Sequence, residues 1–339
     1  MSPNRWLTAW TFSPAVLVWL VLAGAAYERG RRQVRARTAG SLSPRVVTTN
    51  QVACFWSGLA LVALVLLSPL DRMAEVLVSA HMAQHLLLGL VAPLLLVLGR
   101  SVTVMVWGLD PRRRRALDHL RRQVLPPPRF RRSAPAIGVL AVGLHVASWW
   151  LWHIPVMFDA ALHHGLLHAA EHVSLLGGGV ALWWVASGVR WRERSGLGVM
   201  YVFLAAFGTG ALAALLTLAP SALYTESAVR VHQWGLTRLG DQQLAGAMMW
   251  VPGGAVYLGV GVMLFLRWLQ LGPAPATPAA SSPSAGLPPG TASSRGPAPV
   301  TPAGSPQPAG PPRSAGSPRL AGPVRPVTRR PASPARPAR

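Results

Sequence analysis

Residues 81–99, HMAQHLLLGLVAPLLLVLG, decide the fold. Apolar side chains follow one another from Leu86 to Leu98, and the run that starts at Ser79 has about 20 residues, the length a helix needs to cross a bilayer's hydrocarbon core. A helix is also the open form of backbone that satisfies its own polar groups in lipid. His81 and His85 stand at the head of the run, one helical turn apart and on one face.

Six further apolar runs flank this one, so the predicted spans are residues 10–27, 51–69, 79–98, 135–152, 168–187, 197–218 and 243–269. The expected fold class is all-α, a polytopic membrane helix bundle of about seven transmembrane helices. Composition agrees, with 51% hydrophobic and 12% charged residues. The first run ends in LAGAAYERGRR, whose small residues resemble a signal-peptidase site. Its arginines follow the apolar segment instead of preceding it, which predicts a retained span with an exported N-terminus. Residues 1–271 are expected to form the transmembrane domain. Residues 272–339 are mostly Pro, Ala, Gly, Ser and Arg with no acidic residue, a composition that buries no core and predicts a disordered tail.

The formal charge of +22 comes from arginine, since lysine is absent. These arginines lie between spans or in the tail rather than along one soluble face, which argues against a nucleic-acid partner. Six fall in residues 28–50, ten in 99–134 and three in 188–196, whereas the alternate connections carry Arg72, Arg230 and Arg238. The positive-inside rule then places the N-terminus outside and the C-terminus in the cytoplasm. Within the third connection, DPRRRRALDHLRRQV repeats Leu117, Leu120 and Val124 at helical spacing among arginines. It reads either as a helix lying on anionic membrane lipid or as a solvated basic loop. One cysteine, Cys54, excludes a disulfide framework. Tryptophans near span ends, among them Trp149, Trp150, Trp152, Trp183 and Trp184, read as interfacial anchors.

With that orientation, nine of the ten histidines fall in outer loops or outer halves of spans; His119 is cytoplasmic. HMAQH pairs His81 with His85, and HAAEH pairs His168 with His172, at matching depth on two spans that run inward. Two such pairs on neighbouring helices offer four nitrogens to a transition metal. Glu171, beside His172, is an ionisable group inside a span and is expected to be functional. His153 closes the fourth span, His163 and His164 belong to the outer loop, and His145 reads as a core histidine. Met82 and Met248 lie near the outer side with Met73, Met157 and Met249. A thioether suits Cu(I), yet methionine in an apolar helix more often packs. MMWVPGG places Pro252, Gly253 and Gly254 inside the last span, where a helix usually kinks; the break reads either as opening a cavity beside the outer site or as only fitting the bundle's shape. Ahead of it, Asp241 reads as a helix cap or as a group that orients a ligand histidine.

Other chemistries use the same residues. A b-type cytochrome would hold one haem between the third and fifth spans. A histidine-box di-metal oxidase would need further boxes facing the cytoplasm, and a metal-free scaffold would use the histidines to brace the bundle.

The elements HMAQHLLLGLVAPLLLVLG, WHIPVMFDAAL, LLHAAEHVSLLGGGVALWW, LYTESAVR and DQQLAGAMMWVPGG, in that order, resemble the CtaG-type assembly factors of caa-type cytochrome c oxidase. The resemblance covers residues 50–269. It implies a multi-pass bacterial plasma-membrane protein that partners cytochrome c oxidase subunits and performs no bond-making enzyme chemistry. It further implies that the protein serves haem-copper oxidase assembly, with copper handled at the outer face. The family's histidine pattern falls on His81, His85, His153, His168 and His172, and its acidic and amide pattern on Asp159, Glu171, Asp241 and Gln242. Arg100, after the third span, and the long Pro/Arg tail depart from the pattern.

Overall fold

The computed structural model describes residues 9–38, 47–124, 134–188, 195–224 and 231–270, and among these every regular element is helical. The predicted disordered tail, residues 272–339, and Arg230 lie outside the described residues. In chain order the helices are α1 (Pro14–Thr38), α2 (Thr49–Leu67), α3 (Pro69–Ala74) and α4 (Val78–Leu86), then α5 (Ala92–Leu98), α6 (Ser101–Gly108) and α7 (Pro111–Val124). They continue as α8 (Ala134–Trp152), α9 (Pro155–His163), α10 (Gly165–Ala186), α11 (Ser195–Leu218) and α12 (Arg238–Gln270).

All seven apolar runs are helical. Five of these helices are long and apolar enough to cross a membrane: Thr49–Leu67, Val78–Leu98, Pro135–Trp152, Gly196–Leu218 and Arg238–Gln270. The other two are lowered by their own polar groups. In α10 these are His168, Glu171 and His172; in α1 they are the charges from Glu28 onward, where Glu28 pairs with Arg31 and Arg32.

Helix α4 sits at the centre, with every residue buried except Ala83. It packs on α12 and continues through a π-helical turn, Leu87–Val91, into α5. Pro93 explains that turn: it has no N–H for the carbonyl one turn back, so the helix widens there. The Trp183 indole on α10 donates to the Leu90 carbonyl at 2.9 Å. Helix α10 comes close enough at Gly179 that a Cβ there would run into the Gly89 carbonyl and the Pro93 ring. Arg100, the departure noted above, turns the chain between α5 and α6 at φ 54°, in the left-handed region.

Helix α12 runs through Pro252 without interruption. A small cavity of about 10 Å³ does border it, lined by Leu86, Trp149, Thr209, Met249, Gly253 and Tyr257 among others. The tryptophans divide. Trp150 and Trp184 are exposed as anchors would be, while Trp149, Trp152 and Trp183 are buried and belong to the core.

Candidate functional site

The site begins with how α4 is held. The first amides of a helix have no partner within it, and no side chain of α4 caps them. Asp241, at the start of α12, supplies the acceptor: its carboxylate takes the Val78 N–H at 2.7 Å, the Ser79 N–H at 3.1 Å and the Ser79 hydroxyl at 2.5 Å. A negative group there also complements the helix dipole. Asp241 is a cap, as its sequence suggested, but for a helix far away in the chain. It fixes the first turn, which carries His81, with His85 one turn further along the same face.

Both histidines are fully buried, their ring centres 4.2 Å apart. His81 donates from Nδ1 to the Ala74 carbonyl at 3.3 Å, so in the neutral ring its Nε2 carries the lone pair. That Nε2 lies 3.7 Å from Glu171 Oε1, and His85 Nε2 lies 3.4 Å from the same oxygen. Glu171 comes from α10 and is itself fully buried. Ligand atoms of His81, His85 and Glu171 lie within 4.8 Å of one another. On α10, His168 and His172 stand with ring centres 4.3 Å apart, His168 5.8 Å from His81 and His172 5.9 Å from His85. The two HxxxH pairs therefore face each other across α4 and α10.

None of the inward atoms has a hydrogen-bond partner among the described residues: His81 Nε2, both nitrogens of His85, His168 Nε2, His172 Nε2 and both oxygens of Glu171. Buried polar groups are as a rule paired, and a sealed carboxylate is costly without a proton or cation. Neutral His85 carries an N–H on one of its two unpartnered nitrogens, and both carboxylate oxygens of Glu171 stand without a bonded donor among the described residues. Imidazole nitrogen and carboxylate oxygen together are a donor set for a transition metal ion.

A second layer closes the α8–α9 side. His153 is buried, its ring centre 5.9 Å from His85. Its Nδ1 donates to the Trp149 carbonyl at 2.6 Å, and its Nε2 lies 2.9 Å from Met82 Sδ. Phe158 packs against His81 with ring centres 4.9 Å apart, and Tyr224 packs on Phe158. The Tyr224 hydroxyl donates to the His153 carbonyl at 3.0 Å. Burial pushes that phenol up, and the nearby charges of Asp159 and Glu171 add to the shift.

The remaining candidates have other positions. Gln242 accepts from the Leu223 N–H at 2.6 Å and donates to the Leu216 carbonyl at 3.4 Å, which ties down the segment leading to Tyr224. Asp159 is half-buried on α9 beside Phe158. Met248 is half-buried on α12, and its neighbour Met249 packs in the apolar core. His163 and His164 are exposed, whereas His145 lies in the core, Nε2 2.7 Å from the Tyr257 hydroxyl. Tyr224 was missed in the sequence, although it stands in the LYTESAVR element, because a tyrosine between spans carries no spacing signal.

The family model described as cytochrome c oxidase caa3 assembly factor (Caa3_CtaG) matches residues 25–271. Uncharacterized protein ML1998 of Mycobacterium leprae is 25% identical over 288 residues, covering 79% of this chain and 41% of its own length. The chain thus spans about two-fifths of the curated relative it matches. No solved structure matches it.

Proposed function

The chain belongs to the cytochrome c oxidase caa3 assembly factor family, and from that premise we propose that it carries copper for the assembling oxidase. The proposed carrier is a seven-span protein of the bacterial plasma membrane with its N-terminus outside. His81, His85, His168 and His172 would hold the ion, with Glu171 balancing its charge and His153 near at hand. The observation that carries this reading is the convergence of buried imidazole and carboxylate atoms that lack hydrogen-bond partners among the described residues. Transfer is ligand exchange toward an oxidase subunit and forms no covalent bond in a substrate. On this reading the arginine face of α7 rests on anionic lipid and the basic tail is cytoplasmic.

Metal content and the optical spectrum of the purified protein test the proposal. Copper at stoichiometric level, without a Soret band, is expected for the unaltered chain and is lost when His81, His85, His168 and His172 are all replaced by Asn. Copper absent from both proteins would leave a metal-free scaffold, and a Soret band would indicate the one-haem cytochrome.

A further inference from the structure

We propose that Met82 and His153 form a thioether–imidazole station that selects the cargo as Cu(I). The inference rests on the copper reading above and adds the oxidation state and the pair that imposes it.

His153 Nδ1 stands 2.6 Å from the Trp149 carbonyl, and a carbonyl can only accept. The proton is therefore on Nδ1, and the neutral ring turns the Nε2 lone pair toward Met82 Sδ at 2.9 Å. A thioether has no proton to give. Two lone-pair atoms thus meet inside normal van der Waals separation with no donor between them. Neither residue has an evident structural need for that contact: Met82 is wholly buried and Leu would fill its place, while the His153 ring is already held by Trp149.

A cuprous ion supplies what both atoms lack. Thioether sulfur binds soft Cu(I) and discriminates against Zn(II) and Cu(II), which the imidazole and carboxylate groups accept readily. Met82 follows His81 directly on α4, and the His153 ring centre is 5.9 Å from that of His85. The station is thus next to the α4 pair, and its sulfur can follow the ion because methionine has three rotatable side-chain bonds. Movement from the half-buried α10 pair to the α4 pair and on to Met82 and His153 is ligand exchange throughout. Copper enters and leaves as Cu(I), with no electron transferred.

X-ray absorption at the copper edge on the full chain, loaded anaerobically with Cu(I), tests the station. A sulfur scatterer at roughly 2.3 Å is expected, and Met82→Leu should remove it. The same variant should lower Cu(I) affinity about 10–100-fold in chelator competition and leave Zn(II) retention unchanged. Selenomethionine labelling of the unaltered chain asks the question without a substitution, since a selenium shell should replace the sulfur shell. Copper bound through nitrogen and oxygen alone, or a sulfur shell that survives Met82→Leu, would overturn the station and leave the carrier intact. An unaltered chain that binds no copper ends both.

Discussion

Asp241 and Glu171 are acidic side chains buried in the same bundle, and they are treated in opposite ways. Asp241 accepts two backbone N–H groups and a hydroxyl. Glu171 meets imidazole nitrogens at 3.4 and 3.7 Å, and neither of its oxygens has a hydrogen-bond partner among the described residues. A buried charge that is fully bonded is a fastener, because removing it strands its donors. A buried carboxyl group without hydrogen-bond partners is instead open to a proton or a cation. The contrast separates the groups that position α4 from those proposed to meet the cargo.

The largest expected effect is therefore at the fastener. Asp241→Ala leaves the Val78 and Ser79 amides without a partner at the buried start of α4, and a loss of about 3–5 kcal/mol in stability is expected. Thermal melting of the detergent-solubilised protein reads it. Metal binding should fall with the fold, not separately from it. Asp241→Asn, which keeps one acceptor oxygen, should lie between. A variant that melts like the unaltered protein would remove Asp241 from the fastening role.

Glu171→Gln should separate the two properties. The amide can donate a hydrogen bond to a histidine Nε2, so the metal-free protein is expected to melt within about 1 kcal/mol of the unaltered one or above it. Metal affinity should drop about 10–100-fold, the range for losing a group that supports a metal site. Isothermal titration against melting gives both numbers on one preparation. If Glu171→Gln unfolds the protein as Asp241→Ala does, the contrast between the two acids disappears.

These differences explain what could be read from the chain alone. The pairs His81/His85 and His168/His172 were legible because i, i+4 spacing fixes a shared face whatever surrounds it, and Glu171 beside His172 was legible as an ionisable group inside a span. The partner of Asp241 was not, since a helix cap from residue 241 to residue 78 depends on which helices are neighbours. The Met82–His153 contact was hidden for the same reason. Trp149, Trp152 and Trp183 were read as anchors from their place near span ends; their burial follows from which side of α8 and α10 meets other helices, and hydropathy is blind to that. The π-helical turn ahead of Pro93 was likewise not anticipated, although the proline that causes it is plain in the sequence.

The smallest effect is expected at a buried histidine whose Nε2 already has a partner within the bundle. His145 has its Nε2 2.7 Å from the Tyr257 hydroxyl, deep between α8 and α12. Tyr257→Phe keeps the ring and removes the hydroxyl, so it deletes one polar contact between helices. Such contacts in membrane bundles average about 0.6 kcal/mol, and a melting shift of that order is expected. Copper stoichiometry and the sulfur shell should stay as they are, because His145 and Tyr257 belong to the bundle's own bonding and not to the open cluster. If Tyr257→Phe weakened copper binding as strongly as Glu171→Gln, His145 would have to be counted with the cluster. The boundary between fastened and open groups would then run deeper into the bundle than the hydrogen bonds mark it.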